Sequence, residues 1–341
     1  VSTAEATVRR PVFVEILERL AAQRGARIET EPLYGYAGAV IDAVGRRHFF
    51  KGTHFDINRA GAAALARDKD YAGRFLAAAG LATPRGVLLH GPRRTVQLSL
   101  KNPLVAARLP DRAAAHAFAE EVGYPLFAKP NEGSEGDGVT RVGDAAGLDL
   151  ALDALLALHD RVLVQQAVAG EDLRVVVLDG RVKAAFARRP LSVTGDGASP
   201  LSALIAARLA EFASDGKGAR IAADDPRILS ELAASGFTPD SIAEKGATIA
   251  LLANANLSTG GSASDITDTL NPAAADAAIR AAAALGLRFA GVDLLAAPGA
   301  PPVVLEVNAA PGLAYFHRMG PQAAARVEAI YADLLDALLA S

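Results

Sequence analysis

The spacing of apolar positions divides the chain into stretches of helical and of strand period. Residues 11–25 (PVFVEILERLAAQRG) repeat close to every 3.6 positions and stop at Gly25, which predicts a helix closed by glycine. Residues 26–51 read as short strands turning about Val44-Gly45-Arg46. A second helix is predicted over 58–79, ending at Gly80, and Thr83-Pro84 leads into extended chain. The pattern then predicts a helix at 113–122, a strand at 124–129, a glycine loop at 131–138, a strand at 139–142, a helix at 145–158 and a strand at 161–166. Residues 172–178 and 181–188 pair as a hairpin about Asp179-Gly180, two residues suited to the positive φ angles of a type I′ turn. Beyond a Gly/Pro/Ser stretch at 195–200 come helices, a polar segment at 254–272, a helix at 273–285, strands at 289–296 and 302–307, and a closing helix at 321–340. No internal repeat is visible. The expected class is α+β, divided as 1–82, 83–168 and 169–341.

Composition narrows the class of function. The chain has 341 residues, 51% apolar and 21% charged, with 31 Gly and 18 Pro, which excludes disorder, collagen and coiled coil. Lysine plus arginine against aspartate plus glutamate gives 35 − 38 = −3, so no global field draws in nucleic acid or an anionic membrane. Any polyanion must be met by a local pocket. The absence of Cys excludes disulfides, thiolate zinc sites and cysteine nucleophiles, and it fits a reducing cytoplasm. No run of ~18 apolar residues lacks a charge, so neither a membrane-spanning helix nor a signal peptide is expected. Residues 90–112 carry Arg93, Arg94, Lys101, Arg108 and Arg112 with no acid before Asp111; they read as a solvated loop or as a flap facing an anion.

Three constellations carry chemistry. The loop from Lys129 to Gly138 (KPNEGSEGDG) spaces glycines at 133, 136 and 138, so backbone amides can approach phosphate oxygens. It lacks the Gly-Lys-Ser/Thr of a Walker A loop, and a strand rather than a helix follows it, against the dinucleotide fingerprint. Alone it could be a flexible hairpin tip; with Lys129 at its base it reads as a lid over phosphates. Asp293, Glu306 and Asn308 interrupt the apolar strands AGVDLLA and PVVLEVNAAPG. A hairpin turning near 299–300 sets Asp293 opposite Glu306, and Glu306 and Asn308 share a face. Three oxygen donors without Cys or His suit Mg²⁺. On the other hairpin, Arg174 and Arg188 either form cross-strand ion pairs with Glu171 and Asp172 or clamp a phosphoryl or carboxylate group, and both roles are compatible. The segment 254–268 (NANLSTGGSASDITD) makes a polar loop of unspecified ligand. There is no G-x-S-x-G and no H-E-x-x-H, and the six His show no metal-ligand spacing.

These residues resemble the ATP-grasp superfamily, in particular the ATP-grasp domain of cyanophycin synthetase and its counterpart in bifunctional glutathione synthetases. The resemblance runs from Asp68 to Pro321, through RDKDYAGRFLAAAGLATPRG (67–86), FAKPNEGSEGDGV (127–139), VAGEDLRVVVLDGRVKAAFARRP (168–190), TGDGASPLSALI (194–205), NANLSTGGSASDITDTLNP (254–272) and AGVDLL with VVLEVNAAPGL (290–313). It implies an ATP-grasp fold holding ATP between two α+β subdomains, 83–168 with the glycine lid and 169–341 with the metal site, after a small N-terminal α/β domain at 1–82. Lys69, Lys129 and the loop residues Gly133, Ser134, Gly136 and Gly138 would meet the phosphates. Gln165, Gln166 and Val168 would run along the adenine, although the family often has an acid where Gln165-Gln166 stands, and Asp172 would reach the ribose. Asp293, Glu306 and Asn308 would hold Mg²⁺ or, in its place, Mn²⁺. Lys129, Arg174 and Arg188 would be catalytic, and Asn256, Ser258, Thr259, Gly260 and Gly312 would contact substrate. The implied reaction joins a carboxylate to an amine of small amino acids or peptides through an acyl phosphate, releasing ADP and phosphate. The Mur-ligase-like half of cyanophycin synthetase is not expected here, so one ligation rather than two is implied. A γ-glutamyl or glutathione-type ligase and a non-catalytic ATP-binding regulatory module are the alternatives. The setting implied is cytoplasmic, without nucleic acid or membrane partners, and a homodimer is one arrangement open to it.

Overall fold

The structure is a computed structural model, and it describes residues 10–133, 136–212, 221–253, 255 and 257–340. The expected α+β class is observed. At its centre lies an antiparallel sheet of five strands in the order Ser262–Asp265, Arg181–Arg189, Glu171–Leu178, Phe289–Ala296, Val303–Asn308. The hairpin at Asp179-Gly180 forms as expected, both residues having positive φ (47° and 70°).

Alternation along the central strands explains why their sequence is apolar almost throughout. Val176, Leu178, Phe186 and Phe289 face one side, where Val327, Tyr331 and Leu334 of the helix Pro321–Leu339 and the N-terminal helix Val12–Ala22 cover them. Val175, Val177, Val292 and Leu294 face the other side, against the alanine-rich helix Pro272–Ala284 and against Ala72 and Leu76. Small alanines let that helix approach the sheet closely. A four-stranded sheet formed by Arg27–Thr30, Ala37–Ile41, Arg47–Lys51 and His54–Phe55 joins the first core through Val40, Phe50 and Phe55.

A second four-stranded sheet, ordered Gly86–His90, Arg161–Gln166, Leu126–Pro130, Thr140–Val142, packs against the helices Arg112–Val122 and Ala145–Leu158. Both helices start where an aspartate accepts an N-terminal amide: Asp111 from Ala114 at 3.0 Å and Asp144 from Gly147 at 2.7 Å. A fourth core gathers Leu191, Val193, Leu201, Ile228 and Leu251 around the short pair Ser192–Thr194 and Thr248–Ala250.

Two local expectations are corrected. The single helix over 58–79 is broken into Ala60–Arg67 and Lys69–Ala78, because Asp68 takes an extended conformation (ψ 102°) and its carboxylate caps the second helix at the Tyr71 amide. The stretch 90–112 is not a loop: it forms the helices Pro92–Lys101 and Pro103–Ala106 and the start of Arg112–Val122. Proline at the first turn and Asn102 accepting from Val105 start the two short ones.

Candidate active site

The central sheet changes character along one of its faces. Where Val176, Leu178, Phe186 and Phe289 end, the same face continues with Arg174, Asp172, Arg188, Asp293 and Glu306. Pairing puts Arg174 opposite Asp293, Asp293 opposite Glu306, and Arg188 opposite Asp172. These side chains form the floor of a cleft of about 510 Å³. Its opposite wall comes from the second sheet and the glycine loop, through Phe127, Lys129, Gly133, Gly136 and Gln165.

Two features of the backbone aim the charges. A bulge between Asp293 and Leu294 against Val303–Asn308 turns both Leu305 and Glu306 toward the cleft. Gly291 leaves room for Arg174: a Cβ there would stand 2.9 Å from the Pro311 Cβ and 3.1 Å from Arg174 Nη1.

The guanidinium of Arg174 binds Asp293 with two hydrogen bonds, from Nε to Oδ1 and from Nη2 to Oδ2, the latter at 2.9 Å. Arg188 bridges two acids, donating from Nε to Asp172 Oδ1 at 2.8 Å and approaching Asp293 Oδ1 at 3.3 Å. Burial alone would push the Asp293 carboxyl up, but Arg174 and Arg188 outweigh it and hold it below the usual carboxylate range. Asp172 is pushed up to about 6, by burial and then by Asp293, against the pull of Arg188. Burial opposes the charge of Arg188 too, and Asp293 and Asp172 more than offset it.

Lys69 donates to the Gly133 carbonyl at 3.0 Å and stands 3.8 Å from Glu306, so it ties the glycine loop to the sheet floor. Lys129 is pushed down to about 8, chiefly by burial and also by the cation of Lys69, with Glu306 and Asp293 opposing. Two lysines and three arginines, Arg189 among them, thus line one cleft with Asp293, Glu306 and Asn308.

Of the residues expected from sequence to bind ATP, Lys69, Lys129, Gly133, Gly136, Gln165, Gln166, Val168 and Asp172 all line this cleft, as do the expected metal donors and Arg174 and Arg188. Gly138 does not line it and abuts Pro130, whose Cγ would be 2.9 Å from an added Cβ. Thr259 is buried, Gly260 abuts Leu191, and Gly312 is exposed; none of the three lines the cleft. Ser134 and Asn256 lie outside the described residues, as does the side chain of Ser258.

Sequence reasoning missed three residues that hold the site. Asn131, read as part of the glycine loop, is fully buried; its Nδ2 donates to Asp68 at 2.8 Å and its Oδ1 accepts from the Asp70 amide at 3.0 Å. It therefore fixes the helix that begins with Lys69. Arg161 closes this cluster on Asp68 at 2.6 Å. Asn58 donates to the Phe289 and Ala309 carbonyls at 2.6 and 2.9 Å and accepts from the Arg288 and Phe289 amides, pinning together the ends of the two strands that carry Asp293, Glu306 and Asn308. The available signal was the Asp-Lys-Asp run at 68–70, a helix-start pattern inside an apparently continuous helix.

The donor set fits a hard cation with phosphates. Asp293, Glu306 and Asn308 offer oxygen only, and among the described residues no cluster of three or more His, Cys or acidic side chains competes for a metal.

Comparison with known proteins covers both walls of the cleft. The RimK-like ATP-grasp domain matches residues 252–330, which contain Asp293, Glu306 and Asn308. The D-ala D-ala ligase C-terminus matches 105–193, which contain Lys129, the glycine loop, Asp172, Arg174 and Arg188. The chain is 34% identical to cyanophycin synthetase of Geminocystis herdmanii over 262 residues, 73% of this chain and 28% of that protein. It is 33% identical to a bifunctional glutathione biosynthesis protein of Streptococcus thermophilus over 186 residues, 50% of this chain and 24% of that one. The chain thus spans about a quarter of the length of the curated relatives it matches. Among solved structures, the bifunctional glutathione synthetase from Pasteurella multocida superposes with a TM-score of 0.54 at 21% identity, covering 94% of this chain and 43% of that one. D-alanine–D-alanine ligase from Bacillus anthracis superposes with a TM-score of 0.50 at 16% identity, covering 83% and 69%. With both matched stretches meeting across one cleft and the fold shared with these structures, the chain has the ATP-grasp fold and carries ATP-grasp domain sequence at 105–193 and 252–330.

Proposed function

We propose that this chain is an ADP-forming carboxylate–amine ligase that makes a peptide or isopeptide bond between amino acids or small peptides. One observation carries the reading: four cationic side chains, Lys69, Lys129, Arg174 and Arg188, converge with three oxygen donors, Asp293, Glu306 and Asn308, on a cleft walled by a glycine loop. In this reading Lys69 and Lys129 bind the nucleotide phosphates, and the amides of Gly133 and Gly136 approach the same oxygens. The apolar pair Phe127 and Leu305 suits a base plane, with Gln165 offering polar contacts beside it. Asp293, Glu306 and Asn308 would hold Mg²⁺, which when bound would supply positive charge to offset the nucleotide phosphates.

A substrate carboxylate oxygen attacks the γ-phosphorus, the bond to the β,γ-bridging oxygen breaks, and ADP leaves. Arg174 and Arg188 offset the charge spread over the moving phosphoryl group. The amine then attacks the acyl carbon of the acyl phosphate, losing a proton, and phosphate departs with the original carboxylate oxygen. Closure of the glycine loop keeps water from the acyl phosphate. The names of the matched relatives, a synthetase, a glutathione biosynthesis protein and a D-alanine–D-alanine ligase, support the same class of reaction.

The test is a matrix of amino acids and dipeptides with ATP and Mg²⁺, scored for ADP and for product mass. With the active pair, ¹⁸O in the carboxylate should appear once in released phosphate. Formation of AMP, with the label in that nucleotide, would overturn the acyl-phosphate route. Tight nucleotide binding with no ADP from any pair would favour a regulatory module instead.

A further inference from the structure

Outside the cleft, two arginines, Arg94 and Arg108, line a groove at the edge strand of the second sheet, on the same face that walls the cleft. The groove lies between the helix Lys69–Ala78, the strand Gly86–His90 and the short helices Pro92–Lys101 and Pro103–Ala106, and it encloses about 320 Å³. A larger cavity of about 550 Å³ adjoins it across Tyr71, Arg94 and Arg161.

The charges of the groove do not cancel. Arg74 is neutralised by Asp70 at 2.9 Å, and Arg161 by Asp68 and Glu132. The guanidinium groups of Arg94 and Arg108 make no hydrogen bond or ion pair with the described residues, although both side chains line the groove. His90 lines the same groove, and its Nδ1 is buried without a hydrogen-bond partner among the described residues. Burial, then Arg161 and Arg94, depress its pKa, with Asp70 and Asp68 pulling the other way. Buried polar atoms without partners are uncommon in folded proteins, and an orphan beside two free guanidinium groups marks a place where a ligand atom completes the set. The remaining wall is apolar: Leu88, Leu98, Val105 and Leu109. The volume is at the lower end of the range for small-molecule pockets.

The geometry points to a second binding site, separate from the nucleotide cleft, for a small amphipathic anion: one carboxylate or phosphate head held by Arg94, Arg108 and His90, with an apolar body against Leu88, Leu98, Val105 and Leu109. Pro130 borders both the cleft and the larger adjoining cavity, and Asp68, which lines that cavity, caps the helix that carries Lys69. The site therefore backs directly onto the segment that positions a cleft lysine.

Isothermal titration of the full chain with octyl phosphate, octanoate and inorganic phosphate tests this. At least one of the two octyl probes should bind saturably, and about tenfold or more tighter than inorganic phosphate, because the apolar wall adds to the charged contact. The tighter of the two identifies the head group. Arg94→Gln and Arg108→Gln, at half-buried and exposed positions where the fold is not at risk, should each weaken that binding by about tenfold or more. Arg174→Ala, in the cleft, should leave it unchanged, so the result does not depend on whether the cleft turns over ATP. Absence of saturable binding below ~5 mM, equal affinity for inorganic phosphate, indifference to both arginine substitutions, or loss in Arg174→Ala would each overturn the site.

Discussion

Two buried aspartates, Asp68 and Asp293, each hold an arginine, and the contrast between them separates fold from chemistry. Asp68 is saturated by groups that cannot leave: the Tyr71 amide, the Asn131 side-chain amide and Arg161. Asp293 takes guanidinium groups, Arg174 and Arg188, and among the described residues no backbone amide donates to it. It also faces the cleft, where Asp68 does not. A carboxylate fixed by the backbone belongs to a cap; one held by long, rotatable cations at the edge of a cavity can exchange partners when a ligand arrives.

The sharpest way to break this contrast is at Asp293. On the proposed chemistry, Asp293→Asn should lower ADP release by about 10²–10³-fold, the cost of removing one preorganised charge, while far-ultraviolet dichroism stays native. Unchanged turnover would make Asp293 a structural partner of the same kind as Asp68. Next in size is Arg174→Ala, expected to reduce kcat by about 10²-fold with a smaller rise in KM for ATP, since its role is on the moving phosphoryl group. Steady-state kinetics in both substrates measure the split.

Asp68→Ala should act mainly on stability, lowering it by about 2 kcal/mol through loss of the cap and of the Arg161 pair, with a smaller loss of kcat than Asp293→Asn. Urea melts at several pH values sharpen the point. Burial works against the Asp68 charge, but Asn131, Tyr71 and Arg161 hold its carboxyl below the usual range. Its contribution is therefore present above the unfolded value of ~3.9 and lost as pH falls through the lower folded value. The wild type and the variant should converge in acid. A difference that persists there would assign the loss to packing instead.

The smallest effect concerns Lys129. Its folded value of about 8 lies below the unfolded value of ~10.4, so the charged form costs stability at neutral pH and that cost is relieved as pH rises through 8. Nucleotide affinity should fall over the same interval as the cation is lost, by up to about tenfold per pH unit. Lys129→Arg should flatten that dependence, because guanidinium remains charged. Titrations of ATP binding between pH 7 and ~9.5 read both.

What the sequence made legible follows the same division. Asp293 opposite Glu306 could be inferred because two apolar strands of known period were joined by a short turn, and the Asp179-Gly180 turn announced itself by residue type. The cap at Asp68 was hidden because helical periodicity continues on both sides of it, and only the tertiary contact with Asn131 shows why the chain bends there. Asn58 was hidden for a related reason: its four bonds go to residues more than 200 positions away. The helices between 92 and 106 escaped because Val96, Leu100 and Leu104 stay exposed, so no buried face imposed a period on them.

The pairing of Arg174, Asp293 and Glu306 across three neighbouring strands gives the protein an uneven tolerance to changes of length. One residue inserted between Leu173 and Val177 would turn every later side chain to the opposite face, exchanging valines of one core for those of the other and throwing the arginine out of line with its acids. The same residue added at Asp179-Gly180 or near Gly299 shifts nothing upstream. Descendants of this gene can therefore grow at the hairpin tips, while within the strands inheritance is restricted to substitution: the site is preserved as a phase as much as a set of residues.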